Sequence, residues 1–150
     1  MTEVETRLEK IKTTFESFTN QDDKWGFILG LAKKHPGMDA SLKAEKFIVQ
    51  GCAATMYLVP KYENGKMTFF MDTEAGKENP LFSRGLGALA IQLYNGLSPK
   101  EILSVDPEFF THIGLTISLS ATRANGFASL LKQIYLYAKV FLAVETKMQK

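Results

Sequence analysis

The dipeptide Asn64-Gly65 lies between two β-prone runs, and it constrains the fold of this chain more than any other feature. Both central residues of a type I′ turn have positive φ, and Asn-Gly meets that requirement well. Residues 55–59 and 66–71 are therefore predicted to form an antiparallel hairpin. A further β-prone run at residues 47–49 predicts a third strand, with Cys52 at or near the bend that follows it. We therefore expect a small three-stranded antiparallel sheet.

The sequence before the sheet has the periodicity of two amphipathic helices. Apolar residues recur at spacings of three and four within residues 4–18, which predicts the first helix. A second helix is expected over residues 22–34, with Asp22 or Asp23 as its N-terminal cap. His35-Pro36-Gly37 should end it, because a residue before proline disfavours the helical region.

The sequence after the sheet is helical again. Residues 80–95 form an apolar stretch, and Ser98-Pro99-Lys100-Glu101 is a capping box with proline at the first helical position. Asp106-Pro107-Glu108 repeats this device for a short helix that should end near Gly114. Ser120 is expected to cap a last helix of about 25 residues, roughly 37 Å long.

The composition fits one domain, residues 1–150, of the α+β class, with a three-stranded antiparallel sheet packed against several helices. Of the 150 residues, 45% are hydrophobic and 23% are charged, which suffices for one sizeable core. The net charge of +2 and the absence of a basic cluster argue against a nucleic-acid partner. The N-terminus does not resemble a signal peptide, and no apolar window is expected to reach the ~20 residues that cross a bilayer. With a single thiol, which fits a reducing compartment, the chain is expected to be cytoplasmic and to bind no membrane.

Cys52 is the only cysteine, and its isolation excludes several functions. One thiol cannot form an internal disulfide, a CxxC redox pair or four-thiolate iron–sulfur ligation within the chain. With only His35 and His112 besides, the chain is poor material for a zinc site, and it has no Walker loop or GxSxG elbow. A cysteine-based phosphatase would need arginine six residues after the cysteine, where Leu58 stands. We therefore expect no metal and no cofactor.

The residues around Cys52 leave more than one function open. A lone cysteine is commonly a small buried hydrophobe without reactivity. However, Gly51 before it and Ala53-Ala54 after it permit a sharp bend and the close approach of a partner's sulfur atom. A stand-alone cysteine-dependent enzyme would need His35 or His112 as a base, and both are predicted beside helix ends.

Several segments resemble the SufE family of sulfur acceptors, which includes the CsdE branch. The GCAA tetrad at residues 51–54 is similar to the Gly-Cys-Gln-Ser segment that carries the family's cysteine. Four further segments resemble family motifs in the same order: LAKKHPG (31–37), MDTEA (71–75), RGLGALAIQLYNGLSPKEIL (84–103) and LSATRANGFASLLKQIYLYA (119–138). The set of segments, more than any one of them, carries the resemblance.

The chain departs from the family pattern at three places. Ala53-Ala54 replace the usual Gln-Ser, which removes any hydrogen bond from those side chains to the thiol. Gln21 stands where the family usually has a tryptophan. The loop Thr73–Ser83 is several residues longer than usual. The first two departures bear on the surroundings of the thiol and on docking.

The resemblance implies that the chain relays sulfur. A PLP-dependent cysteine desulfurase of the SufS or CsdA type would make a persulfide, and this chain would take the terminal sulfur onto Cys52. It would stimulate the desulfurase and pass the sulfur to an iron–sulfur scaffold, as an accessory protein without a cofactor. The alternative is a desulfurase-binding regulatory module in which Cys52 is only structural.

Three further residues are expected to support Cys52. Arg123 matches an arginine of the family's last helix and should support the partner contact or the persulfide. Asp72 should pin the neighbouring loop by accepting backbone hydrogen bonds, and so control how far Cys52 is exposed. Gly51 should be a hinge that lets the cysteine loop move outward.

The resting thiol itself is expected to be largely buried, in a loop more mobile than the adjacent strands. An exposed thiolate or persulfide is readily oxidised, so a carrier should shield it. Burial would also raise the pKa of the thiol. The residues expected to supply the apolar cover are Val49, Met56, Tyr57 and Leu58.

Overall fold

The computed structural model describes residues 1–52, 54–74 and 80–148, with helices on both sides of a central hairpin in the sequence. The elements, in order, are α1 (Glu3–Glu16), α2 (Gln21–Lys34), 3₁₀ turns at Ala40–Leu42 and Glu45–Phe47, β1 (Thr55–Glu63), β2 (Lys66–Glu74), α3 (Pro80–Tyr94), α4 (Pro99–Ser104), α5 (Phe109–His112), a 3₁₀ turn at Thr116–Ser118 and α6 (Ala121–Met148). The predicted α+β class, with a small antiparallel sheet and a long C-terminal helix, is confirmed.

The hairpin forms around Asn64-Gly65, as the sequence predicts. The φ angles of Asn64 and Gly65 are 53° and 76°, which is the left-handed backbone that a type I′ turn needs. The strands β1 and β2 pair antiparallel from Thr55 opposite Glu74 to Glu63 opposite Lys66. Residues 55–63 therefore lead directly from the Cys52 loop into the sheet.

The predicted third strand is reduced to a single bridge in the described part of the chain. Ile48 pairs with Tyr57, and the Val49 amide donates to the Met56 carbonyl at 2.8 Å. Residues 45–47 form a 3₁₀ turn instead of extended backbone, so the described sheet has two strands. The β-prone run at 47–49 does meet the sheet, but a turn immediately before it leaves too little extended chain to form a ladder.

Local capping signals explain where most helices begin. At α4, Ser98 and Glu101 form the predicted reciprocal capping box, with Pro99 at the first helical position. The cap of α2 is Asn20, whose side chain accepts from the Asp23 amide at 2.9 Å, so the prediction of Asp22 or Asp23 was wrong. Asn20 takes this position because the capping residue must be extended, and the two aspartates lie inside the first turn.

The helix α3 lies at the centre of the core. Nine of its fifteen residues are buried, and it packs against α2, β2 and α6. The helix α6 buries residues only between Gly126 and Ala138, where it covers α3 and α4. The N-terminal half of α6 is thereby fixed next to β1 and the Cys52 loop.

The composition of α6 corrects one expectation. Among the described residues it is the one helix long and apolar enough to cross a membrane, with a mean hydropathy of 1.4 over 18 residues, of which 28% are buried. The apolar windows therefore do not all fall short of membrane-spanning length. Core helices of soluble proteins reach the same composition, and α6 contributes Phe127, Leu130 and Ile134 to this core.

Candidate functional site

Cys52 lies in the loop between the Ile48 bridge and β1, and its side chain is half-buried. The Sγ–H group donates to the carbonyl oxygen of Gly126 in α6, with 3.5 Å between sulfur and oxygen. Burial raises the pKa of the Cys52 thiol. The resting group is therefore a protonated and poorly nucleophilic thiol.

A small pocket adjoins Cys52, and helices form most of its wall. The pocket is lined by Cys52, Met56, Ser83, Leu86, Thr122, Arg123, Gly126, Phe127 and Leu130. Its free volume is about 10 Å³, enough for about one water-sized sphere. The pocket is mostly apolar, and its free space beside the sulfur would admit about one added atom.

The cover of the thiol differs from the one predicted. Of the four residues expected to shield Cys52, only Met56 lines the pocket. Val49 and Leu58 are buried in the core, and Tyr57 is partly exposed. The sheet alternates its faces, so consecutive residues 56–58 cannot all point at one loop. The helices α3 and α6 supply the shielding in their place.

Gly51 adopts a backbone conformation that other residues rarely take. Its φ is 94°, and a Cβ atom added there would lie 2.7 Å from Ser129 Oγ in α6. Only glycine therefore fits this turn without strain or a shift of the neighbouring helix. The absence of a side chain at Gly51 lets the loop pack closely against α6.

Arg123 borders the same pocket as Cys52. It lies in the first turn of α6, and its guanidinium carbon is 4.2 Å from the centre of the Phe82 ring. A guanidinium over an aromatic face is held by the ring quadrupole. The structure thus brings together three of the predicted site residues, namely Gly51, Cys52 and Arg123.

Asp72 belongs to a separate, buried ionic cluster. Its carboxylate accepts from the Met38 and Thr73 amides at 3.3 and 2.9 Å, and pairs with Arg84 and Lys43 at 2.5 and 3.3 Å. Burial would raise the pKa of this carboxyl, but the hydrogen bonds from Thr73 and Met38, with Lys43 and Arg84, outweigh it. They hold the pKa below its usual range. Asp72 therefore accepts two backbone hydrogen bonds, one of them from Met38 in the segment after α2.

Lys43 connects the Asp72 cluster to the segment of chain that leads to Cys52. Its ammonium also pairs with Glu74 at 3.2 Å, so it ties the segment after Met38 to the end of β2. That segment continues through the Ile48 bridge into the Cys52 loop. The effect of Asp72 on the exposure of Cys52 stays a prediction.

The two histidines lie away from the thiol. His35 Nε2 is 2.7 Å from the Met71 carbonyl oxygen, and His112 Nδ1 is 3.3 Å from Asp106. Neither residue lines the Cys52 pocket, so no Cys–His pair forms there. Within residues 1–52, 54–74 and 80–148, no cluster of side chains could hold a metal ion.

Sequence reasoning missed the α6 residues that face Cys52, and it missed the arginine that pairs with Asp72. Gly126, Phe127 and Leu130 face Cys52 although they lie more than 70 residues later in the chain. The glycine of the 119–138 segment was a usable signal, because a helical glycine lets another backbone approach closely. Arg84 begins the segment 84–103 that resembles the family, but nothing in the sequence pairs it with Asp72. Ala53 and residues 75–79 of the longer loop, two places where the chain departs from the family pattern, lie outside the described residues.

Comparisons with known proteins give matches over most of the chain. Residues 9–138 match the sequence profile of SufE, described as an Fe-S metabolism associated domain. An uncharacterized SufE-like protein of Synechocystis is 34% identical over 134 residues, covering 89% of this chain and 81% of that protein. The sulfur acceptor protein CsdE of Escherichia coli is 32% identical over 133 residues, covering 87% of each.

A solved structure has the same fold at lower sequence identity. The solution structure of a hypothetical protein from Thermus thermophilus superposes with a TM-score of 0.73, at 21% identity. The match covers 91% of this chain and 96% of that one. This likeness concerns the fold alone.

Proposed function

The chain belongs to the SufE family, and from this premise we propose that it accepts sulfur from a cysteine desulfurase as a persulfide on Cys52. Two relatives carry names that point to this activity, the sulfur acceptor protein CsdE of Escherichia coli and the cysteine desulfuration protein SufE of Wigglesworthia. The names support a role in Fe–S metabolism as an accessory sulfur-transfer protein with a desulfurase partner.

The observation that carries the proposal is the pocket at Cys52. The only thiol of the chain lines a pocket with free space for about one added atom. A sulfane sulfur bound to Sγ is such an addition. An acyl or phosphoryl group is larger than the free space of this resting pocket, so the geometry supports sulfur as the cargo.

The transfer needs no external oxidant or reductant. The Cys52 thiolate attacks the terminal sulfur of the donor persulfide, and the donor's S–S bond breaks as a new one forms on Cys52. The electron pair of the broken bond leaves with the donor cysteine as a thiolate. A proton lost by Cys52 balances the proton that the donor thiolate takes up.

The resting geometry implies that docking activates the thiol. Cys52 must lose its bond to the Gly126 carbonyl and its apolar surroundings before it becomes a useful nucleophile. Outward movement of the loop would do both, and Gly51 gives that movement a hinge. The donor is a desulfurase of the SufS or CsdA type, whose turnover this chain stimulates, and an iron–sulfur scaffold receives the sulfur in a reducing cytoplasm.

The proposal is tested by intact-protein mass spectrometry. The chain is incubated with a PLP-loaded desulfurase and cysteine, and the wild type should gain the mass of one sulfur atom on Cys52. The variant Cys52→Ser should gain nothing and should no longer stimulate the desulfurase, while its circular dichroism stays unchanged. Stimulation that survives in Cys52→Ser would overturn the relay.

That outcome would favour a regulatory module in which Cys52 is structural. One observation supports this second function: the contacts of Cys52, a half-buried thiol donating to a helix carbonyl, are those of a structural cysteine. Binding of Cys52→Ser to the desulfurase, measured by calorimetry, separates the two functions. A module would bind and stimulate with serine, whereas a carrier would bind without stimulating.

A further inference from the structure

We propose that the groove between the α4–α5 segment and α6 binds a small amphipathic anion with an apolar body and one carboxylate or sulfonate group. The groove has a volume of about 570 Å³, within the roughly 300–1,000 Å³ of small-molecule sites. It is separate from the Cys52 pocket, and the two cavities share Phe127 as a wall.

The groove is concave because small residues of α6 face a bulky short helix. Ala124 and Ala128 lie one turn apart in α6 and line the groove opposite Phe110 and Thr111. An alanine leaves space that a larger side chain would fill against a neighbouring helix. The hollow therefore arises from the sequence of α6 at these two positions.

The floor of the groove is apolar. Leu103, Phe110, Phe127 and Leu131 line it. The rings of Phe110 and Phe127 pack edge to face, with 5.1 Å between their centres. Such a floor takes up an apolar body by burial and offers few hydrogen bonds to a polar one.

The rim carries the charges that select an anion. Lys132 and Lys139 both line the groove and lie seven residues apart in α6, roughly 10 Å along its axis. Neither ammonium makes an ion pair with any residue in the described ranges, and both side chains are exposed. Glu108 is the one acidic residue of the lining, so the two lysines leave the rim net positive.

An apolar floor with cationic residues at the rim fits an amphipathic anion better than a neutral apolar molecule. A neutral molecule would leave both ammonium groups without a partner. A charged head at the rim would pair with one or both of them while its body fills the floor.

The test measures binding of decanoate by its displacement of the fluorescent probe anilinonaphthalene sulfonate. Wild type and Cys52→Ser should bind both with the same affinity, because neither ligand needs the thiol. This arm keeps the result independent of the sulfur-transfer activity. Saturable binding with one site per chain is expected.

Two variants locate the site. Ala128→Trp places a large ring in the groove from an exposed position, so the fold should tolerate it and binding should be lost. The double variant Lys132→Gln, Lys139→Gln should weaken decanoate about ten-fold and reduce the salt dependence of binding. The matched control Lys33→Gln, Lys34→Gln changes two exposed lysines of α2 and should bind like wild type.

Three outcomes would overturn the proposal. The first is unaltered decanoate binding in Ala128→Trp, and the second is an equal loss in the α2 control. The third is binding to phosphatidylglycerol vesicles, or self-association in sedimentation, that Ala128→Trp abolishes while wild type binds no free decanoate. That result would assign the groove to a membrane surface or a second copy of the chain.

Discussion

Cys52 lies shortly before β1 and Asp72 lies near the end of β2, and the surroundings of the two side chains are opposite in kind. The Cys52 thiol has one weak hydrogen bond, an apolar pocket and a raised pKa. The Asp72 carboxylate has four donors around it and a lowered pKa. One group is kept nearly without partners, and the other has its hydrogen-bonding capacity filled.

The difference separates a reactive group from a structural one. A carboxylate surrounded by donors has nothing left to offer a ligand, and its ion pairs stabilise the fold. A thiol with a single weak bond can exchange that bond for a covalent one at little cost. A perturbed pKa alone would identify both Cys52 and Asp72 as functional candidates. The number of hydrogen bonds that each side chain already makes is the better guide to function here.

The largest effect is expected from Asp72→Ala. The change leaves Arg84 and Lys43 partly buried without their shared partner, and the free energy of unfolding should fall by about 3 kcal/mol. Urea unfolding measures this. The matched control Glu63→Ala removes an exposed pair with Lys61 and should cost at most ~1 kcal/mol.

The acid limb of the stability curve checks the same cluster. The pKa of Asp72 is lowered in the folded state, so its contribution to stability is present above the unfolded pKa of about 3.9. It is lost as the pH falls through the lower folded value. Asp72→Ala should therefore flatten the loss of stability below about pH 4. An unchanged acid limb would contradict the role of Asp72 as an ionised anchor.

Arg123→Ala is expected to change transfer much more than stability. Arg123 borders the thiol pocket and rests on Phe82, where a partner's persulfide or carboxylate could reach it. Sulfur acceptance should slow by about ten-fold, while stability falls by at most ~1 kcal/mol. The control Lys147→Ala, an exposed cation at the other end of α6, should accept sulfur like wild type. Equal rates in both variants would make Arg123 a surface residue only.

Gly51→Ala tests how the loop that carries Cys52 is held against α6. Alanine at φ 94° is strained and would meet Ser129 Oγ, so stability should fall by about 1–2 kcal/mol and Cys52 should react faster with a bulky alkylating reagent. Combining it with Ser129→Ala removes the contact and leaves the backbone strain. Recovery in the double variant would assign the effect to contact with α6, whereas no recovery would assign it to the hinge.

The smallest effect is expected from Asp72→Asn on the alkylation rate of Cys52. Asparagine keeps the shape of the side chain and weakens the tie through Lys43 to the segment that leads into the Cys52 loop. A few-fold faster alkylation is expected. Glu63→Gln removes an exposed ion pair with Lys61 that has no tie to this segment, and it serves as the control. Identical rates in Asp72→Asn and wild type would make the two regions independent.

The local sequence predicts those parts of the fold that a few neighbouring residues determine. The hairpin follows from Asn64-Gly65, and α4 follows from the capping box at Ser98-Pro99. The run at 47–49 has strand propensity, yet only Ile48 pairs. Pairing of that segment depends on how the chain reaches the sheet after Pro36, which propensity does not encode.

The candidate site divides in the same way. Cys52 and Gly51 are identifiable because a lone thiol after a glycine is a local pattern. Gly126 and Phe127 are its neighbours only through the packing of α6 on α3, over 70 residues of intervening chain. Arg84 was missed for the same reason, since its partner Asp72 is set by the packing of α3 on β2.

Phe127 is the partition between two compartments of unequal size, the small pocket at Cys52 and the larger groove beside α6. In a close-packed interior, volume gained on one side of such a partition is taken from the other. A second sulfur on Cys52 would take up the free space of the small compartment. Phe127 lines both cavities, so a shift of its ring toward the groove would enlarge the pocket at the thiol. A molecule bound in the groove would occupy the space into which the Phe127 ring could shift. Formation of a persulfide on Cys52 would then require a movement of α6.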